Sequence, residues 1–229
     1  MKAENVPDSD LVHLRGLPKA AVAVAVLGGS TALALGEVPE WEEGIFEAVN
    51  RLPHALEWTL WTPMQFGNLF GPFVVAAGSW YVWRRWRPTV GAVAVGVASW
   101  QLAKVVKNSI ERGRPHDVFK VIVRRAGTPK DGLGFVSGHS AVAFSLAAVL
   151  SPYLGQWRWI GYGLATSVSF ARIHVGAHLP LDTVGGAALG LSLAFVYNAA
   201  VGLPAESRRV TPRKGDAASM TPGCDSRMR

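Results

Sequence analysis

The chain is dominated by six apolar runs that carry few or no charges. They cover residues 20–36, 58–83, 88–103, 132–157, 159–171 and 183–205. A helix needs about 20 mostly apolar residues to cross the hydrocarbon core of a bilayer. The fifth run is shorter, but Arg158 and Arg172 at its ends have side chains long enough to reach the membrane interface. The pattern predicts an all-α integral membrane protein with six transmembrane helices.

The composition agrees with this class. Of the 229 residues, 49% are hydrophobic and only 17% are charged, below the quarter that is usual in soluble domains. Glycines at helical spacing, such as Gly186-xxx-Gly190, predict closely packed helices. The net charge of +7 is spread over short loops without interleaved aromatic residues, which argues against nucleic acid as a partner. A soluble protein built of buried helices remains an alternative.

We expect three segments along the chain. Residues 1–19 form a cytoplasmic N-terminal segment, 20–203 the six-helix membrane domain, and 204–229 a polar, disordered cytoplasmic tail. Residues 37–57 lie between the first two runs, begin with Pro and acids, and place Ile45, Phe46, Val49 and Leu52 at helical spacing. This indicates an interfacial helix. Lys19 and the apolar run after it resemble a signal peptide, although acids precede them, and cleavage stays open.

The loop charges predict the topology. The loop at 84–87 and the tail are basic, whereas 37–57 holds six Glu against Arg51. By the positive-inside rule, both termini and the 84–87 loop are cytoplasmic, and loops three and five lie outside. Loop three, at about 104–132, nevertheless carries eight Lys and Arg against three acids. A basic outside loop opposes the topology signal, so we interpret it as an anion-binding segment.

Because loops three and five lie on one side, their polar residues can converge. The candidates are Lys107 and Arg114 in loop three, Ser137, Gly138 and His139 at the start of the fourth helix, and Arg172, His178 and Asp182 in loop five. Lysine and arginine neutralise phosphate oxygens, and arginine donates to them in bidentate fashion. A helix N-terminus favours anions, and a glycine there lets the backbone approach closely. The group predicts a phosphate site.

The remaining side chains suit covalent catalysis. His178 and Asp182 lie about one helical turn apart, so Asp182 can accept the far ring N–H and leave a lone pair on His178 facing phosphorus. His139 can protonate the leaving oxygen. We therefore predict a phosphohistidine intermediate that water then hydrolyses.

These residues resemble three motifs of the type-2 phosphatidic acid phosphatase (PAP2) superfamily, K-x6-R-P, P-S-G-H and S-R-x5-H-x3-D. The chain has Lys107-x6-Arg114-Pro115, Ser137-Gly138-His139 and Arg172-x5-His178-x3-Asp182 in that order. It departs from them at Val136, where the motif has Pro, and at Ala171, where it has Ser. The lost Ser hydroxyl leaves rate and substrate preference in question.

The resemblance implies a lipid phosphate phosphatase in a bacterial cytoplasmic membrane, with its site facing outside and without metal or cofactor. The expected substrate is a polyprenyl diphosphate or prenyl-linked phosphate, with phosphatidic acid or phosphatidylglycerol phosphate as further candidates. Nothing in the pattern indicates an oligomeric state.

Three alternatives stay open. A phosphotransferase would use the same site with an acceptor other than water, and a non-catalytic protein would bind or move anionic lipids through the same cations. The spacing His174-xxx-His178-xxx-Asp182 resembles a metal site, with His139 as a fourth ligand. Pro180 interrupts a continuous helix there, and the neighbouring cations would repel a metal ion. A further group of basic residues suits either lipid headgroups or specific contacts: Lys104, Arg124, Arg125 and Lys130.

Overall fold

The computed structural model of the protein describes residues 16–202, and every regular element in that range is helical. The first five helices are α1 Leu17–Ala34, α2 Glu40–Asn50, α3 Leu56–Gln65, α4 Gly71–Trp83 and α5 Trp86–Ile110. They are followed by the short α6 Pro115–Val118, then α7 Gly138–Leu154, α8 Arg158–His174 and α9 Pro180–Val201, with a 3-10 turn at Gly155–Trp157 between α7 and α8. The predicted all-α class is confirmed over the described residues.

Helix α7 lies at the centre of the helical bundle. It packs against α5, α8 and α9, and α1 covers the outer side of α9. The predicted close packing of α9 is confirmed at two glycines. A Cβ on Gly186 would lie 2.3 Å from the Ser137 carbonyl oxygen, and one on Gly190 would lie 2.0 Å from that of Ala141. Only glycine permits this approach, which holds α9 against the start of α7.

Three segments within residues 16–202 are long and apolar enough to cross a membrane. They are Leu17–Ala34, Trp86–Val118 and Pro180–Val201. Helices α4, α7 and α8 have 13, 17 and 17 residues, so each is shorter than Leu17–Ala34, the shortest of these three segments, which has 18. Three of the six predicted spans therefore meet the length criterion, and the six-span layout stays a prediction.

The second apolar run does not form one helix. Residues 58–83 are divided between α3 and α4, which are separated by a turn at 66–70. The Asn68 side chain accepts hydrogen bonds from the amides of Phe70 and Gly71, at 2.8 and 3.0 Å. This local bonding competes with helix continuation. The apolar pattern missed the break because the turn-forming residues are few among many apolar ones.

Helix α2 occupies the segment for which we predicted an interfacial helix. Its Phe46 side chain is buried against Ile173 and Leu179, so α2 packs on the loop that joins α8 to α9. Ile45, by contrast, is 47% exposed. The predicted segment 204–229 and most of 1–19 lie outside the described residues.

Candidate active site

Three cations are oriented by main-chain carbonyls. Lys107, near the end of α5, donates from Nζ to the carbonyl oxygens of Leu133 and Gly134 at 2.9 and 2.7 Å. Arg114, just before α6, donates from Nε to Gly132 and from Nη1 to Ala177, both at 2.8 Å. These carbonyls fix where the positive groups lie without neutralising them.

Arg172, in the last turn of α8, completes the cationic group. Its Nη1 donates to the carbonyl oxygen of Gly127 at 2.9 Å, and the residue is 2% exposed. Its Nε is buried and has no hydrogen-bond partner within residues 16–202. The charge of Arg114 acts on Arg172, and both act on Lys107. Two buried arginines and a partly buried lysine, which repel one another and keep donors free, are suited to binding a multiply charged anion.

His178 and Asp182 face each other across the start of α9. The His178 Nδ1 lies 3.3 Å from the Asp182 Oδ2, which also accepts the Leu179 amide at 2.9 Å. Pro180 is the first residue of α9, so no continuous helix joins His178 to Asp182. Burial, and then the positive charges of Lys107, Arg172 and Arg114, lower the pKa of His178 well below its ordinary value. The imidazole is therefore neutral at pH 7.

His139 lies in the first turn of α7. The charges of Arg172, Lys107 and Arg114 all act on it, which places it in the same site. Its ring packs edge-on against the ring of Trp100, with 5.7 Å between the centroids. Gly67 makes room for this turn, because a Cβ there would lie 2.8 Å from the His139 carbonyl oxygen.

Ser137 and Gly138 form the N-terminus of α7. Ser137 is the N-cap residue, with its Oγ 3.5 Å from the Ser140 amide, and it is fully buried. Its own amide donates to the Asp182 carbonyl oxygen at 2.8 Å. This bond joins the start of α7 to the start of α9. All eight predicted site residues therefore belong to one cluster, to which α5, α7, α8, α9 and their loops contribute.

Two residues of this cluster were not predicted. Arg112 lies two positions before Arg114, and its guanidinium contacts Asp182 Oδ1 at 3.0 Å and Glu42 Oε2 at 2.6 Å. Arg112 could have been suspected, since it lies inside the first motif. Glu42 is one of several acids in the 37–57 segment, and nothing in the sequence distinguishes it from Glu40 or Glu43.

The other basic residues of loop three divide into two groups. Arg125 is 8% exposed and donates to the carbonyl oxygens of His174 and Leu52, so it makes specific contacts that hold the loop in place. Arg124, Lys104 and Lys130 are not buried. His174 is fully buried beneath Arg125. Within residues 16–202, no three His, Cys, Asp or Glu side chains lie close enough together to hold a metal ion.

The comparison with protein families agrees with the motif assignment. The model of the PAP2 superfamily matches residues 81–203, which is more than half of the chain and includes all eight predicted site residues. The chain belongs to the PAP2 superfamily.

The chain is also similar in sequence to known phosphatases. An undecaprenyl-diphosphatase from Sulfolobus acidocaldarius is 31% identical over 96 residues, which are 42% of this chain and 46% of the relative. Phosphatidylglycerophosphatase B from Bacillus subtilis is 28% identical over 134 residues, 54% of this chain and 62% of the relative. The chain thus spans between about half and three fifths of these relatives' lengths.

The fold has solved counterparts. The crystal structure of a transmembrane PAP2-type phosphatidylglycerolphosphate phosphatase from Bacillus subtilis superposes with a TM-score of 0.61 at 22% identity. The match covers 77% of this chain and 94% of that protein. At this identity the likeness establishes the fold.

Proposed function

We propose that the protein is a membrane lipid phosphatase that works through a phosphohistidine. The observation that carries this proposal is the geometry around His178, whose Nδ1 faces Asp182. Within residues 16–202, the side chains of the three neighbouring cations donate to main-chain carbonyls and to the Met64 thioether, and to no carboxylate. Anion binding alone needs no oriented, neutral imidazole. An imidazole whose Nδ1 faces a carboxylate keeps its proton there and its lone pair on Nε2, as a nucleophile requires.

The first step transfers the phosphoryl group to His178. Lys107 keeps one of its three donors free and Arg114 keeps several of its five, so both can bind phosphate oxygens. Nε2 attacks phosphorus, the P–N bond forms, and the bond from phosphorus to the leaving oxygen breaks. His139 gives its proton to that oxygen. The Asp182 carboxylate stabilises the imidazolium that develops on His178.

The second step restores the enzyme. Water attacks phosphorus while His139, now neutral, takes a proton from it. The P–N bond breaks, its electron pair returns to Nε2, and inorganic phosphate leaves. All groups in both steps belong to the chain, and the mechanism as we propose it uses no metal ion and no cofactor.

Among lipid phosphates we favour a polyprenyl diphosphate. His139, which would face the leaving oxygen, packs on Trp100, and the Lys104 Nζ lies 5.9 Å from the centre of that ring. The leaving group of a diphosphate is itself a charged phosphate, which a nearby ammonium stabilises. The leaving group of phosphatidic acid is an alcohol, which a nearby ammonium stabilises less. The loop charges lead us to place the site at the outer face of the membrane, and the family resemblance leads us to place the protein in a bacterial cytoplasmic membrane.

The direct test is phosphate release by detergent-purified protein. A polyprenyl diphosphate and phosphatidic acid are compared with and without EDTA, with His178→Ala as the blank. We expect EDTA-resistant release from both lipids, faster from the diphosphate, and a ³²P-labelled enzyme that is stable in base and labile in acid. Release abolished by EDTA would contradict the metal-free mechanism. A labelled acceptor other than water would indicate a phosphotransferase, and binding without release a non-catalytic lipid-binding protein.

A further inference from the structure

A buried group of three charges links α2 to the site. Arg112 is held by both oxygens of Glu42, with Nη1 3.2 Å from Oε1 and Nη2 2.6 Å from Oε2. The same Nη1 lies 3.0 Å from Asp182 Oδ1. The side chains of Glu42 and Asp182 have no exposed surface, and that of Arg112 is 5% exposed. Glu42 Oε1 also accepts the Leu181 amide at 2.8 Å.

The two oxygens of Asp182 have separate partners. Oδ1 faces Arg112, whereas Oδ2 faces His178 Nδ1 and the Leu179 amide. The direction of the carboxylate is therefore set from both sides. A bidentate guanidinium–carboxylate pair has a fixed plane. The pairing with Glu42 therefore determines the direction of the second N–H on Arg112 Nη1, the one that faces Asp182.

Glu42 also affects the charge that Asp182 presents. If Asp182 were the only anionic partner of Arg112, the positive guanidinium would cancel more of the negative potential that the Asp182 carboxylate exerts at His178. Because Glu42 takes two of the three contacts between the guanidinium and carboxylates, Asp182 keeps more negative charge for the imidazolium that forms when His178 is phosphorylated.

We propose that Glu42 is a positioning residue for catalysis: acting through Arg112, it orients Asp182 and preserves its charge for His178. The inference rests on the proposed phosphatase function. Glu42 touches neither the phosphate site nor His178, so its effect falls on the rate of the chemical step and not on phosphate binding.

A purely structural role would have different consequences. Helix α2 is also held by Phe46, which packs on Ile173 and Leu179, and by Asn50, whose side chain donates to the carbonyl oxygens of Val123 and His174. These contacts keep α2 in place when the charge of Glu42 is removed. A fall in rate without loss of fold or phosphate affinity therefore separates positioning from support.

The experiment compares Glu42→Gln, Glu42→Asp and the control Glu47→Gln in the full chain. Glu47 lies on the same helix, in an exposed pair with Arg51. Each variant is assayed for kcat and KM on the lipid that wild type hydrolyses, for inhibition by inorganic phosphate, and for Tm. We expect Glu42→Gln to lower kcat about 10-fold or more, as loss of an orienting partner does elsewhere. Inorganic phosphate should bind Glu42→Gln at least as tightly as it binds wild type, because the variant has one negative charge fewer. Glu42→Asp should recover part of kcat, and Glu47→Gln should match wild type.

Two results would overturn the inference: a kcat for Glu42→Gln within about twofold of wild type, or equal losses in kcat and phosphate affinity. If Glu42→Gln does not fold, Glu42→Met decides, because Arg112 and Asp182 then remain buried as a pair of opposite charges. It should show the same fall in kcat with phosphate binding retained. A wild type inactive on every lipid would instead refute the proposed function itself, and the variants are interpreted only when wild type turns over.

Discussion

The site contains two kinds of cation, which differ in what their positive groups contact. Arg112 lies between two carboxylates, those of Glu42 and Asp182. Lys107, Arg114 and Arg172 instead donate to main-chain carbonyl oxygens. The four residues come from one short stretch of loop three and the end of α8, so the difference arises from their partners and not from their place in the chain.

The partners indicate the task of each cation. A carbonyl oxygen orients a cation but leaves its charge, whereas a carboxylate neutralises it. The charge of Arg112 is therefore neutralised within the protein, although its buried Nε has no hydrogen-bond partner within residues 16–202. The other three cations retain positive charge for a substrate anion. Burying charge without a counter-ion costs free energy, and functional sites commonly bear such a cost. Four predictions test this division, in order of decreasing effect.

Replacing His178, which lies between the two groups of cations, should have the largest effect. In His178→Ala we expect kcat to fall by about 10⁴-fold or more, because the nucleophile is lost. Inorganic phosphate should still raise its Tm, since the three free cations remain. Phosphate release and thermal shift measure the two effects. His54→Ala, at an exposed histidine, is the matched control. Activity near that of wild type would contradict the assignment of the nucleophile.

The paired variants Arg112→Met and Arg172→Met should separate stability from binding. Arg112→Met leaves Glu42 and Asp182 buried without their counter-ion, so we expect a loss of about 3–5 kcal/mol in the free energy of unfolding. Arg172→Met removes a buried cation that Arg114 repels, so the stability should hold or rise. Its kcat/KM should fall about 10- to 100-fold, because one charge-assisted hydrogen bond contributes roughly 1.5–3 kcal/mol.

Denaturation of both variants, together with phosphate titration, checks this comparison. Arg124→Met, at an exposed arginine, should change neither quantity. If Arg172→Met destabilised the protein as much as Arg112→Met, the division between neutralised and free cations would be wrong.

The three free cations also predict a dependence of stability on pH. With burial they lower the pKa of His178, so between that folded value and the ordinary value of about 6.5 the unfolded chain binds a proton that the folded chain does not. The contribution of neutral His178 to the free energy of unfolding is therefore fully present above pH 6.5 and is lost as the pH falls toward the pKa of the folded state. From pH 7.5 to 5.5, the Tm of wild type should fall more than that of His178→Ala. Equal changes would contradict a lowered pKa for His178.

The same division explains which residues of the site the sequence could predict. The predicted residues of the site occur at the fixed spacings of three short motifs, so the pattern identifies them even though their partners are distant in sequence, as Ala177 is from Arg114 and Gly127 is from Arg172. Glu42 is different, since it reaches the site only when α2 packs back on the loop between α8 and α9, 139 residues away from Leu181. Such long-range packing has no local pattern.

The helices show the same limit. Apolar runs located α1, α5 and α9 because charge and length define them. The division of 58–83 into α3 and α4 depends on the hydrogen bonds of one side chain, Asn68. The fourth apolar run begins at residue 132, whereas α7 begins at Gly138. Residues 132–137 form a loop whose carbonyls accept hydrogen bonds from Lys107 and Arg114.

The smallest expected effect comes from restoring the motif residue at Ala171. Ala171 is fully buried beside Met64, Val175 and Ala177, and it directly precedes Arg172. A serine hydroxyl there adds a donor next to a free cation, while neither group of cations loses a contact. We expect Ala171→Ser to keep or raise kcat/KM, by up to about threefold, which is less than the value of one net hydrogen bond. Steady-state kinetics on the preferred lipid measure it, with Ala171→Val as a control for added volume alone. A large fall in Ala171→Ser but not in Ala171→Val would mean that the hydroxyl captures Arg172, and that this cation is free only because position 171 is alanine.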